Sequence, residues 1–123
     1  MKLTSIYIAI IMMIVGITSV KAQTSDKETI KVWGNCGMCK KKIEKAAKSA
    51  GATSASWDAD QQQLKVTYEK DKSSSSKIQE AIAKVGYDTQ DYTADNSVYE
   101  NLPGCCQYDR KPATVNTTKS SQQ

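Results

Sequence analysis

The sequence predicts an α+β sandwich of βαββαβ order with a Cys-containing C-terminal extension. Three observations predict it. Short segments with period-two apolar patterning recur along the middle of the chain. Two other segments carry a one-sided apolar stripe at helical spacing, and Gly51 and Gly86 follow them where helix-ending residues are expected. Polar turns, Asp58–Asp60 and Lys70–Ser74, separate the elements.

Taken in order, Thr24 to Lys27 is polar and reads as a loose leader. Glu28 to Trp33 is the first strand, with Ile30 and Val32 on one side. Gly34 to Met38 is a glycine-containing loop. Cys39 to Ala50 is a helix: Cys39, Ile43, Ala46, Ala47 and Ala50 lie on one face, opposite Lys40, Lys41, Lys42, Glu44, Lys45 and Lys48. Ala52 to Trp57 is a weak strand with Ala55 and Trp57 on one side. Gln63 to Glu69 is a better one, in which Leu64, Val66 and Tyr68 alternate with polar residues. The second helix presents Ile78, Ala81, Ile82 and Val85. Ser76 and Gln79 have capping-box spacing, and Ser75 is an alternative cap. Tyr87 to Thr93 is a last, polar strand, and Ala94 to Leu102 a short helical turn. This order is the split βαβ, or ferredoxin-like, arrangement: one antiparallel sheet with both helices on one face.

Composition sets the compartment and excludes several functions. Met1-Lys2, the apolar run Ile6 to Ile17 and Val20-Lys21-Ala22 read as a signal peptide over residues 1–22. The run is short of the ~20 apolar residues a transmembrane anchor needs, and no cysteine follows it closely enough for a lipid anchor. The reading is an exported chain, periplasmic or secreted, without stable membrane insertion after cleavage. Cleavage after Ala22 would remove Lys2 and Lys21 and lower the formal charge from +4 to +2, too weakly basic for a nucleic-acid binder. The mature chain divides into a leader (23–27), a domain (28–93), an extension (94–110) and a disordered tail (111–123) rich in Thr, Ser, Gln and Asn. The chain has no histidine, which excludes Ser-His-Asp catalysis, and no phosphate-binding loop is present.

The four cysteines form two tight pairs, Cys36/Cys39 and Cys105/Cys106, rather than being spread to staple distant loops. Cys36-Gly37-Met38-Cys39 lies between a strand end and a helix start. There the unpaired backbone N–H groups favour thiolate over thiol, and Lys40, Lys41 and Lys42 act in the same sense. Thiolates are soft ligands. Two of them suit low-coordinate Cu(I), with Ag(I) and Hg(II) as alternatives. Zn(II) usually takes four ligands, and no imidazole is available. A structural disulfide is the competing reading. Met38 either packs into the end of the core or lies beside the metal.

Lys31-Val32-Trp33-Gly34-Asn35-Cys36-Gly37-Met38-Cys39, with the basic-apolar helix behind it, resembles the heavy-metal-associated (HMA) domain of copper chaperones, copper-transport ATPases and mercury-binding periplasmic proteins. The resemblance spans roughly Glu28 to Thr93. It implies metal ligation by Cys36 and Cys39, and a role beside the metal loop for Tyr87 in Gly86-Tyr87-Asp88; Tyr87 as a plain core residue is the alternative. One departure stands out. The family commonly has Met two residues before the first motif cysteine, where this chain has Gly34, so Met38 or Trp33 is expected to anchor the loop instead. Asn35 stands where zinc-transporting relatives often carry Asp, which favours a monovalent ion.

Cys105 and Cys106 lie beyond that resemblance. The last strand is expected to start beside the metal loop and cover ~20 Å. Ala94 to Gly104, at ~3.3 Å per residue, is long enough to return. One or both cysteines are therefore expected to approach Cys36 and Cys39, in a three- or four-thiolate site; a disulfide or a redox-sensitive appendage is the alternative. The function so implied is that of an exported metallochaperone or scavenger, monomeric or a metal-bridged dimer. Its basic helix suits an acidic surface on a metal transporter or acceptor. Two other readings compete: a thioredoxin-like disulfide oxidoreductase using the same CxxC, and a non-catalytic adaptor with structural cysteines.

Overall fold

The computed structural model describes residues 24–112. The signal-peptide reading of residues 1–22 and the tail from residue 113 onward lie outside the described residues. Strand β1 (Ser25–Lys31) leads to helix α1 (Gly37–Ser49), strands β2 (Ala52–Asp58) and β3 (Gln63–Glu69), helix α2 (Ser75–Lys84), a short helix α3 (Asn96–Glu100) and a 3-10 turn (Gly104–Cys106). The sheet is antiparallel with order β1-β3-β2. This is the ferredoxin-like arrangement. Among the described residues no helix is long and apolar enough to cross a membrane.

β1 starts earlier than its composition suggests. Ser25, Asp26 and Lys27 pair with Glu69, Tyr68 and Thr67, so this stretch is strand rather than loose leader. The ladder of β3 supplies hydrogen bonds that a weak intrinsic preference does not oppose. On the helix-facing side, Ile30 and Val32 meet Leu64, Val66 and Tyr68. β2 buries both Ala52 and Trp57, five positions apart, which a regular strand would place on opposite faces. The register shift between Ala52 and Ser54 resolves this: one extra residue in the strand flips the later alternation.

α1 buries Cys39, Ile43, Ala46 and Ala47 against the sheet, as the stripe predicts. α2 is turned relative to expectation. It buries Ile78, Gln79, Ile82 and Ala83, leaving Val85 exposed and Ala81 half-buried. Its cap is Ser74, whose Oγ accepts from the Lys77 N–H, not Ser75 or Ser76. Gln79 does not turn back to cap the helix. Its side chain is buried instead, because it satisfies the loop that follows: Oε1 accepts from Thr89 Oγ1 and the Asp91 N–H, and Nε2 donates to Ser75 Oγ and Asp91 Oδ2. Gly51 and Gly86 follow the two helices at φ of 110° and 106°, backbone conformations that side chains disfavour.

The last strand expected at Tyr87 to Thr93 is reduced to one antiparallel bridge, Val32 to Thr89. Around it the Trp33 N–H donates to Asp88 O, the Gln90 N–H to Lys31 O and the Lys31 N–H to Gln90 Oε1. A local turn and a side chain replace the ladder here: the Thr89 N–H turns back to the backbone carbonyl of Tyr92, and the Asp88 N–H donates to the Tyr108 hydroxyl. The short α3 occupies the expected helical turn. Lys111, expected in the disordered tail, is held by its Nζ on the carbonyls of Thr89 (2.8 Å) and Tyr92 (2.9 Å).

Candidate metal centre

The loop between β1 and α1 is fixed from two sides. The Val32 N–H donates to Gln62 O, and the Gly34 N–H to Gln62 Oε1 at 2.9 Å, which ties it to the β2–β3 turn. The Trp57 indole N–H donates to Val32 O at 3.0 Å. Its ring lies directly against Gly34, where a Cβ would come within 2.8 Å of it and 3.1 Å of Ile43 Cδ1. The anchor of the loop is therefore Trp57, reaching across from β2. Met38 does not fill the core, being 48% exposed, and Trp33 only flanks it. Trp57 and Gln62 are the residues that sequence reasoning missed as loop supports. The small residue at Gly34 was the available sign that a large side chain comes from elsewhere.

Cys36 is the N-cap of α1 in extended backbone conformation, and the Lys40 N–H donates to its carbonyl. Its side chain makes no capping hydrogen bond, but the nearby backbone N–H groups of Cys39 and Met38 at the helix start lower its pKa to about 7, against the opposing effect of partial burial. Cys39 is fully buried on the first turn of α1, its Sγ 3.8 Å from that of Cys36. Of the flanking lysines, Lys40 is held by Glu44 and the Trp57 carbonyl, whereas Lys41, Lys45 and Lys48 are exposed.

The extension returns to this loop. Cys106 is buried, and its Sγ and those of Cys36 and Cys39 all lie within 4.8 Å of one another, a group able to hold a metal ion. Burial pushes the Cys106 thiol up to about 12, and the neighbouring Cys39 acts in the same sense. Cys105 does not join the cluster. It is exposed, its Sγ is 3.9 Å from that of Cys106, and its carbonyl accepts from Asn35 Nδ2 (3.1 Å) and the Cys36 thiol (3.3 Å). The four cysteines are free thiols. Tyr87 is fully buried and faces the sulfurs of Cys39 and Cys106. Burial, then those two sulfurs, push its hydroxyl far up in pKa, and that hydroxyl has no hydrogen-bond partner among the described residues.

Fold and site together define a ferredoxin-like domain with a cysteine cluster at the start of its first helix. The heavy-metal-associated domain model matches residues 35–88, and the chain belongs to that family. Among solved structures, the CopZ metallochaperone is 35% identical, with 52% of this chain and 98% of that one covered and a TM-score of 0.50. Oxidized MerP from Ralstonia metallidurans CH34 is 26% identical over 55% of this chain and 96% of that one, with a TM-score of 0.52. The N-terminal domain of a potential copper-translocating P-type ATPase from Bacillus subtilis, in the Cu(I)-loaded state, is 25% identical over 59% and 100%, with a TM-score of 0.50. No curated protein matches the chain. The matched residues end at Asp88, so α3 and the turn bearing Cys105 and Cys106 lie beyond them.

Proposed function

We propose that this protein is an exported metallochaperone or scavenger that binds a soft metal ion, Cu(I) foremost, through the thiolates of Cys36 and Cys39. The observation that carries this reading is the pair of sulfurs 3.8 Å apart at the start of α1, one of them poised as thiolate by helix amides. The likeness to a metallochaperone and to a Cu(I)-loaded domain supports copper. The absence of histidine from the sequence removes imidazole from the donor set, which leaves sulfur ligands, the cysteine thiolates foremost. Ag(I), Hg(II) and Zn(II) are the other ions to compare. Transfer proceeds by ligand exchange, an incoming thiolate displacing an outgoing one. The exposed Lys41, Lys45 and Lys48 suit an acidic surface on a transporter or acceptor protein. The disulfide-oxidoreductase alternative finds no support in the fold or in the family.

The test is an anaerobic titration of reduced protein with Cu(I) against a chromophoric chelator. One equivalent is expected to bind, and binding is expected to collapse in the Cys36→Ser/Cys39→Ser variant. A reduced protein that takes up no copper would refute the reading. Export is tested by intact mass of the protein from its native host, with the N-terminus expected at Gln23; an uncleaved chain would exclude it.

A further inference from the structure

Residues 94–112 lie back across the end of the domain and are fastened there at several points. Arg110 pairs with the buried carboxylate of Asp88 and also donates to Ala94 O and Asn96 Oδ1. Tyr108 stacks on Tyr87, ring centroids 5.5 Å apart, while its hydroxyl donates to Gly86 O and accepts from the Asp88 N–H. Tyr99 meets Tyr108 edge-on and donates its hydroxyl proton to Tyr108 O. Leu102 covers Gly86, at 3.2 Å from where a Cβ would lie. A segment held this firmly places the 3-10 turn, and Cys106 on it, in one position.

We infer that Cys106 is the third ligand of a three-thiolate centre for Cu(I), with the Tyr87 hydroxyl donating to one of its sulfurs. This rests on the metal-carrier reading of Cys36 and Cys39 and sharpens it toward retention. Metal–thiolate bonds of ~2.3 Å put sulfurs ~4.0 Å apart around a trigonal ion and ~4.6 Å apart across a linear one. The Cys36–Cys39 separation of 3.8 Å is short for a linear ion and suits one held by more than two ligands, and Cys106 lies within 4.8 Å of both. The second observation is Tyr87. A buried hydroxyl without a partner is destabilising, and a thiolate beside it is the acceptor it lacks. An ion that already carries three sulfurs has less room to add an acceptor's thiolate, which slows release. Cys105 remains outside because Asn35 Nδ2 donates to its carbonyl, a contact that survives deprotonation of Cys36, and its side chain is exposed.

X-ray absorption spectroscopy of the full chain, loaded with Cu(I) in the absence of thiol reductants, tests the inference. Three sulfur neighbours are expected in the wild type and in Cys105→Ser, and two in Cys106→Ser. Chelator competition is expected to show Cys106→Ser weaker by about 10- to 100-fold and Cys105→Ser unchanged. Two sulfurs in the wild type, or equal affinity of Cys106→Ser and wild type, would overturn the third ligand while leaving the two-thiolate carrier intact. A wild type that binds no copper overturns both. Should Cys106→Ser fail to fold, the sulfur count of the wild type decides alone.

Discussion

Arg110 grips Asp88 with two nitrogens, Nε to Oδ2 at 2.6 Å and Nη2 to Oδ1 at 2.7 Å, across the seam between the domain and its C-terminal extension. The Asp88 side chain is 1% exposed, and its Oδ1 also accepts from the Ala94 N–H. The planar guanidinium matches the carboxylate in a way that an ammonium cannot. Asp88 is also the residue at which the family match ends. The domain thus presents a buried anion that the extension neutralises.

Truncating Arg110 leaves that carboxylate buried without its counter-charge. Arg110→Ala is expected to destabilise the fold by about 2–4 kcal/mol, the lower part of this range reflecting the partial exposure of the guanidinium. Arg110→Lys should recover only part of the loss. Urea unfolding at neutral pH measures both; an Arg110→Ala midpoint equal to wild type would show that the pair holds nothing in place.

Gly34 has no room for a side chain. Gly34→Ala is expected to push on the Trp57 ring and Ile43 and to cost about 1–3 kcal/mol, read as a lower thermal midpoint. Displacement of Trp57 should also appear as a shift in tryptophan fluorescence. An unchanged midpoint would mean that the ring is free to give way, and that Trp57 does not anchor the loop.

Tyr87→Phe removes a buried hydroxyl that has no hydrogen-bond partner among the described residues. Stability of the metal-free form is expected to stay level or rise by up to ~1–2 kcal/mol. Cu(I) affinity is expected to fall by about tenfold, since a donor to the metal-bound sulfur is lost. The opposite signs separate this role from simple packing: a variant that loses stability and keeps its affinity would identify Tyr87 as a core residue only.

Thiol chemistry should distinguish the cysteines. In metal-free, reduced protein the Cys36 pKa is lowered to about 7, first by the Cys39 and Met38 backbone N–H groups, whereas burial holds Cys106 near 12. The thiolate is the nucleophile, so alkylation of Cys36 by iodoacetamide should rise with pH and reach half its plateau near pH 7. Cys106 should remain unmodified across the same range. Peptide mass spectrometry after timed quenching reads each site, and a Cys36 profile centred at an ordinary thiol pKa would count against activation by the helix.

Much of the framework was legible because its signals are local. The stripe Cys39, Ile43, Ala46, Ala47 and the alternation Leu64, Val66, Tyr68 each declare their element within a few residues, and Gly51 and Gly86 mark where helices end. The α2 face was misread because Gln79 looks like a capping residue. It becomes buried only through Thr89 and Asp91, whose positions depend on the loop beyond. The final strand was overread for a related reason: side chains of Gln79, Gln90 and Tyr108 take the hydrogen bonds a ladder would have used.

By itself the sequence determined a ferredoxin-like frame, a CxxC loop at a helix start, and a second cysteine pair with chain enough to return to it. Only the tertiary structure decided that Cys106 turns inward and Cys105 outward, and that Trp57 rather than Met38 supports the loop. The physical reason is reach. Periodicity and capping are set by neighbours a few positions apart. The contacts that orient the cluster join Asn35 to Cys105 and Asp88 to Arg110, 70 and 22 positions apart, and arise only when the packed domain offers the extension a surface.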